Sequence, residues 1–470
     1  MRNPTSLFVF AHLADHFVPA GLLTLEQQGD AVLASEFAYG TKYLERSNAL
    51  EIDPVSLSLA DKRQVRQQRL FPPPDLNQFG GIRDAAPDAW GRRVIEARLQ
   101  VPANSLPEAR YLLEAGSNRI GALDIRSALD AKPRHGLSHI TDLGYLLEAA
   151  ERIEAGLPVP QQLDAIFDSG SALGGARAKA TVRDADGVLW LAKFRSQGET
   201  LNVPAIEAAT LDLARRCGLT VPPLRLIEVN GRSVMLIRRF DRYWANANDV
   251  ASLTDWAELT RQTEAAPQAE SPPYLHQSPG AGRLEQRLGF VSGLTLLACD
   301  EYSARQKSYG QLAQAIRQYC QPNLIRANCR ELFARMVFNI FVNNDDDHLR
   351  NHGFLWYPWH KTGQRSGGWG LSPLYDVMPR PTLATDRHLF LGVGQQGRVA
   401  TLDNAISAHA QFGLSHAEAC QVIGRLWCEL REWRVAFEAF GLLPTAIEAA
   451  ASAFRHIDVL ASKALRQALP

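Results

Sequence analysis

Basic and acidic residues cancel in this 470-residue chain, 50 Lys and Arg against 50 Asp and Glu, so no net positive field is available to hold a polyanion. Charge therefore gives no indication of nucleic-acid binding. No apolar run approaches the ~18 residues of a membrane span, and Met1 to Gln28 lacks the basic, apolar and small-residue layout of a secretory signal. A cytoplasmic protein with no membrane contact is expected. Cysteine is scarce: Cys217, Cys299, Cys320, Cys329, Cys420 and Cys428 include no C-x-x-C pair, which argues against a redox or metal role and for reduced, buried small hydrophobes. Internal repeats are absent, and so is any helix-turn-helix with basic flanks.

What is present is ordinary for a globular protein, 46% apolar and 21% charged. Single cores stop growing at roughly 250–300 residues, so two or three lobes are expected here. Residues 5–60 alternate apolar and polar positions in short runs, a strand-rich opening. After Pro72-Pro73-Pro74 the period lengthens, and Asp88 to Glu96, Pro107 to Ala115 and Ile140 to Ala155 read as helices. Strands return with Ala180 to Arg183 and Val188 to Phe194, a hairpin turning at Asp184-Ala185-Asp186-Gly187. A helix from Pro204 to Cys217, stopped by Gly218, precedes two more strands joined at Asn230-Gly231. Residues 243–284, rich in Ala, Pro, Gln and Ser, read as an extended connection. Beyond 285 the pattern is helical almost throughout, with Leu332, Phe333, Met336, Val337, Ile340 and Phe341 on one helix face. The exceptions are a short strand, Gly353 to Tyr357, and a Gly/Ser loop at 363–370.

That last helix runs into Val342-Asn343-Asn344-Asp345-Asp346-Asp347-His348-Leu349-Arg350-Asn351, and Leu374-Tyr375-Asp376-Val377 follows. A carboxylate at 346, a carboxamide at 351 and a carboxylate at 376 supply what phosphoryl transfer needs, one group to orient a hydroxyl and two oxygen ligands for Mg²⁺. The Asp346-to-Asn351 spacing equals that of the protein-kinase loop H-R-D-x-x-x-x-N, although three consecutive aspartates leave the frame open. His348 reads as a structural hydrogen-bonding residue, since no second histidine lies at zinc spacing. Upstream, the glycines of Gly170-Ser171-Ala172-Leu173-Gly174-Gly175-Ala176-Arg177-Ala178-Lys179 would let backbone N–H groups approach a phosphate, a weak signal alone. Lys193 strengthens it, because an ammonium in the apolar Leu191-Ala192-Lys193-Phe194 segment needs an opposing charge. A Gly-rich turn, a hairpin and a strand lysine in that order repeat a kinase nucleotide cradle. Glu207, on the next helix, either pairs with Lys193 or is solvated. Phe240-Asp241-Arg242 ends the last strand, where it is either an adenine-binding hinge or carries a structural Asp–Arg pair.

Together these segments resemble the HipA family of serine/threonine kinases, the toxins of type II toxin–antitoxin modules. The resemblance rests on Arg83 to Arg92, Leu173 to Lys179, Ala192-Lys193-Phe194, Arg239 to Arg242, Asn344 to Asn351 and Pro373 to Asp376, and it spans nearly the whole chain. It implies a two-lobed, kinase-like α+β fold. The expected divisions are an N-terminal subdomain (1–150), a nucleotide-cradle part (151–242), a flexible interlobe connection (243–284) and a helical C-lobe (285–470). The family pattern selects Asp346 as general base and assigns Mg²⁺ to Asn351 and Asp376. It assigns ATP to Gly174, Gly175, Lys179, Lys193 and Phe240. It further implies a protein substrate of the translation apparatus, such as an aminoacyl-tRNA synthetase, and a helix-turn-helix antitoxin of the HipB type through which DNA would be contacted. A kinase of lipids or small molecules, or a nucleotide-binding corepressor scaffold, would share part of this pattern. Ala172 stands where family members carry an autophosphorylated serine, leaving Ser171 and Ser169 as candidate acceptors.

Overall fold

The computed structural model describes residues 4–134, 136–172, 175–196, 198–246, 273–276, 280, 282–361 and 364–470. Its architecture is α+β, as expected. The N-terminal sheet has the order β3-β2-β1-β4, with β1 Thr5–Leu13, β2 His16–Gln28, β3 Ala31–Tyr39 and β4 Leu123–Arg126 all antiparallel. Its alternation turns Leu7, Val9, Ala11, Leu23, Leu25 and Phe37 into one apolar cluster. β4 escaped the sequence reading: a run of four residues carries too little period to be seen.

The second sheet has the order β5-β6-β7-β9-β8, from β5 Ser138–His139, β6 Lys179–Arg183, β7 Leu189–Phe194, β8 Leu224–Val229 and β9 Arg232–Arg238. Asn230 and Gly231 both have positive φ, 51° and 73°, the conformation that a two-residue hairpin with matching twist requires. Residues of even and odd number face opposite sides. Trp190, Ala192 and Phe194 enter the core that holds the helix Leu143–Glu154, while Met235 and Ile237 turn toward the helix Val203–Arg216. The expected boundary at 150 therefore falls inside a helix that packs on this second sheet, and the short strand before it pairs there too.

Both ends of the segment expected to be an extended connection are ordered. β10 Arg242–Asn246 pairs antiparallel with β11 Arg283–Arg287, and Tyr274 and Leu275 are buried; residues 247–272, 277–279 and 281 lie outside the described residues. A third sheet, β12 Gly289–Ser292, β13 Gly353–Lys361 and β14 Gln364–Leu371, corrects the nearly all-helical reading beyond 285. The Gly/Ser stretch read as a loop is mostly β14. Gly367 and Gly368 are there because Trp356 and Gln321 occupy the space a Cβ would take.

The largest core forms around the helix Ile325–Val342. It was expected to bury one face; instead every residue from Leu332 to Val342 is buried, Arg335 and Asn339 included. The helix Val203–Arg216 joins this core, so it ties the cradle sheet to the helical region. Five cysteines are buried, but Cys428 is exposed, which corrects the uniform reading. Among the described residues no helix is long and apolar enough to cross a membrane.

Candidate active site

Asn343 closes the helix Ile325–Val342 in the left-handed conformation, φ 51°, and the chain turns sharply into the three aspartates. Their environments differ. Asp347 is buried, and its Oδ2 accepts hydrogen bonds from Tyr309 Oη at 2.5 Å, Asn339 Nδ2 at 2.7 Å and His352 Nε2 at 3.0 Å. Burial pushes its carboxyl up, but the His352 charge and these bonds outweigh that and hold it below the ordinary carboxylate value. Asp346 is half-exposed and ion-paired to Arg380, with Nη2 at 2.5 Å from Oδ2. The main-chain carbonyl of Asp346 accepts from His348 N at 2.7 Å and Asn351 Nδ2 at 3.2 Å. With its Nδ2 so committed, the buried Asn351 side chain has its carboxamide oxygen as its acceptor. The hydrogen-bonding histidine of the loop is His352, not His348. The His348 ring packs edge-on to Phe390, and its Nδ1 is buried with no hydrogen-bond partner.

From the other side β6 and β7 present two lysines as direct cross-strand neighbours, Lys179 opposite Lys193. Lys193 Nζ lies 2.5 Å from Glu207 Oε1 on the helix Val203–Arg216 and 2.8 Å from Asp376 Oδ1. The pairing with Glu207 is thus the one the structure adopts. Burial lowers the Lys193 ammonium, but Asp376 and Glu207 outweigh it and raise it above the ordinary value. The Lys193 charge in turn holds Asp376 well below the carboxylate range. Glu207 is raised, because burial exceeds the help it receives from Lys193. Asp376 has φ 58°, in the left-handed region that aspartate tolerates better than most residues, and its side chain is about half exposed. Lys179 is buried, and burial together with the neighbouring Lys193 charge pulls it down to about 8.

The Gly-rich segment is seated by residues from the N-terminal region. Asp88 Oδ2 accepts from Gly175 N at 3.2 Å, Trp90 N donates to Gly175 O at 2.9 Å, and Trp90 Nε1 donates to Lys179 O at 2.8 Å. Gly175 has φ 81°, and a Cβ there would sit 2.5 Å from Lys179 Nζ. Leu173 and Gly174 lie outside the described residues. Ser169 and Ser171 are buried: Ser169 Oγ is 2.8 Å from Ser138 Oγ, and Ser171 Oγ donates to Ala115 O at 3.2 Å. Phe240 is buried beside Tyr375, ring centroids 5.3 Å apart, and its carbonyl accepts from Tyr274 Oη at 2.6 Å. Asp241 belongs to a structural knot with Arg239, Arg242 and Gly121 N, where the two arginines overcome burial and push it down to about 2.

Lys179, Lys193, Glu207 and Asp376 thus stand together, and the stretch around Asp376 meets the aspartate loop through Tyr375 Oη, which donates to Arg350 O at 2.7 Å, and through Arg380 on Asp346; Phe240 packs beside Tyr375. Sequence reasoning missed Asp88, Trp90, Asp347 and Arg380. Only Asp88 left a usable trace, an N-cap before the helix Ala89–Leu99. Among the described residues no group of three or more His, Cys, Asp or Glu side chains could hold a metal. A carboxylate and a carboxamide fit Mg²⁺, which takes few protein oxygens and completes its shell from phosphates and water.

A family model described as HipA-like C-terminal domain matches residues 171–433, over half of the chain. Among solved structures, HipA from the Shewanella oneidensis MR-1 toxin–antitoxin system, determined with HipB and its operator DNA, matches with a TM-score of 0.61 at 14% identity. That match covers 95% of this chain and 94% of the other, and it shows that the two share a kinase-like α+β fold. The Helicobacter pylori proinflammatory kinase CtkA matches at 13% identity over 61% of this chain and 92% of its own, with a TM-score of 0.36. No curated protein matches the sequence.

Proposed function

The chain belongs to the HipA-like family, and from that premise we propose that it is an ATP-dependent serine/threonine protein kinase acting as the toxin of a toxin–antitoxin pair. The observation that carries the reading is Lys193 standing between Glu207 and Asp376. A buried lysine held by a helix glutamate and a metal-type aspartate is the arrangement that nucleotide phosphates require.

The adenine would lie against Phe240, and the phosphates would meet the Gly174-Gly175 backbone, Lys179 and Lys193. Asn351 and Asp376 would hold Mg²⁺, which when bound neutralises charge on the phosphate oxygens. Asp346 accepts the proton of a serine or threonine hydroxyl as its oxygen bonds to the γ-phosphorus. The bond from that phosphorus to the β,γ-bridging oxygen breaks, and ADP leaves. Modification of Ser169 or Ser171 would first require their segment to leave its seat, since both hydroxyls are buried. By the family resemblance the acceptor is a cytoplasmic protein of the translation apparatus, such as an aminoacyl-tRNA synthetase. The partner would be a helix-turn-helix antitoxin of the HipB type, the pairing found in the Shewanella complex with its operator DNA.

The test is incubation of the purified chain with γ-labelled ATP, Mg²⁺ and a cell lysate, beside Asp346→Ala. Label on a protein in the wild-type lane alone supports the reading and names the acceptor. Equal labelling by Asp346→Ala overturns the mechanism, and ATP binding without any protein labelling overturns the assignment of a protein acceptor.

A further inference from the structure

Arg380, four residues beyond Asp376, is fixed at its backbone by the end of the helix Ile325–Val342. Its N–H donates to Asn343 O at 3.2 Å, and its carbonyl accepts from Asn343 Nδ2 at 2.6 Å. Asn343 is itself locked in the left-handed turn that starts the aspartate loop. The root of the Arg380 side chain is therefore rigid relative to Asp346. Its head is not. Nη2 is 2.5 Å from Asp346 Oδ2 and Nε is 3.1 Å from Asp345 Oδ1, yet the side chains of Arg380, Asp346 and Asp345 are 51%, 52% and 43% exposed. Ion pairs this open are worth at most about 1 kcal/mol. The contact to Asp345 lacks hydrogen-bond geometry, and that oxygen accepts no other bond.

While Arg380 rests on Asp346, it covers one of the two carboxylate oxygens that could take a hydroxyl proton. An acceptor hydroxyl bonds its base at about 2.6–3.2 Å and attacks from about 3–3.5 Å, so a guanidinium on the base stands within one side-chain rotation of the transferring phosphorus. We propose that Arg380 is a catalytic residue. It leaves Asp346 when ATP and acceptor fill the groove and turns onto the γ-phosphoryl oxygens, with Asp345 as the carboxylate that keeps its Nε nearby. Arg380 gives up no proton; it stays a guanidinium and offsets the charge that spreads over the phosphoryl oxygens during transfer. The three consecutive aspartates then have three tasks, with Asp345 tethering Arg380, Asp346 taking the proton and Asp347 bracing the loop. The inference rests on the proposed kinase activity.

Calorimetric binding separates the two. Wild type, Arg380→Ala and Arg380→Lys are titrated, with Mg²⁺ present, first with ADP and then with ADP plus aluminium fluoride, a mimic of the phosphoryl group in flight. ADP affinity should agree within about threefold across all three, because the ground state does not use Arg380. Aluminium fluoride should tighten wild-type binding by about 100-fold or more; Arg380→Ala should lose most of that gain and Arg380→Lys only part. Turnover of Arg380→Ala should fall by about 100-fold at unchanged KM for ATP. An undiminished aluminium fluoride gain in Arg380→Ala overturns the proposal. So does its absence in wild type, and so does faster turnover of Arg380→Ala, the mark of a residue that only masks the base. Failure of wild type to bind ADP at all would instead overturn the kinase reading.

Discussion

Lys193 and Asp376 are 183 residues apart in the chain and 2.8 Å apart in space, a contact that ties the cradle sheet to the stretch that follows β14. In the proposed reaction nucleotide and metal would open it: the half-exposed Asp376 carboxylate would turn to the cation, and Lys193 would keep Glu207 while gaining phosphates. Lys193→Met takes the ion-pair partner from Glu207, whose side chain is only 4% exposed, and leaves Lys179 as the neighbouring cation for Glu207 and Asp376. The variant is expected to lose about 3 kcal/mol of stability through the lost buried pair and to bind ATP too weakly to measure. Lys193→Met with Glu207→Gln should recover most of the stability and none of the ATP binding. Thermal denaturation and calorimetry read the two effects separately, and recovered ATP binding in the double variant would contradict the assignment of Lys193.

Asp346 and Asp347 should give opposite fingerprints. Asp346→Asn changes a half-exposed residue, so its melting temperature should stay within about 1 °C of wild type while turnover falls by about 100- to 10,000-fold. Asp347→Asn introduces donors where Tyr309, Asn339 and His352 already donate. It should cost about 2–4 kcal/mol of stability and leave a measurable fraction of turnover. An Asp347→Asn protein as stable as wild type and fully inactive would exchange the roles of the two aspartates.

Much of the site was legible because its chemistry is local. The five-residue separation of Asp346 and Asn351 is set within one loop, and Lys193 stands out because an ammonium is costly among Leu191, Ala192 and Phe194. The strands at Leu224–Val229 and Arg232–Arg238 announced themselves through the Asn230-Gly231 turn. What stayed hidden depends on long-range contact. The partition of the aspartates among solvent, Arg380 and a buried brace follows from Tyr309 and Arg380, which lie 38 residues before Asp347 and 34 residues after Asp346. The strand Gln364–Leu371 looked like a loop because its glycines answer to Trp356 and Gln321, neighbours that no local pattern reveals.

Asp88 and Trp90 should control the Gly-rich loop without touching nucleotide. Asp88→Ala frees the Gly175 N–H, and Trp90→Phe removes the bond to the Lys179 carbonyl, each worth about 1 kcal/mol and somewhat more where the acceptor is charged. Hydrogen exchange at Gly175 is expected to accelerate by about tenfold in Asp88→Ala, with a weakened KM for ATP and little change in the exchange of the Ile325–Val342 helix. Unchanged protection at Gly175 would show that the loop is seated by other contacts.

The last expectation concerns pH. Lys179 is buried beside Lys193, and burial and that neighbouring charge bring its ammonium from the ordinary 10.5 to about 8. A phosphate placed next to it favours the charged form and raises that value again. Above pH 8 the free protein has lost the proton that the complex keeps, so ATP binding takes one up. Affinity should be flat below about pH 7 and should weaken with rising pH above 8, by up to about tenfold per unit until the value in the complex is reached. Folding stability responds in the opposite sense. Its unfolded chain binds the Lys179 proton up to 10.5, so between pH 8 and 10.5 this lysine makes the folded state more stable as pH rises. Weakened binding at pH 9 therefore cannot come from local unfolding at Lys179. Lys179→Arg, charged at every pH in this range, should bind ATP with no such dependence. Calorimetry in two buffers of different ionisation enthalpy counts the proton directly, and a wild-type affinity that stays constant from pH 7 to 9.5 would remove Lys179 from the phosphate site.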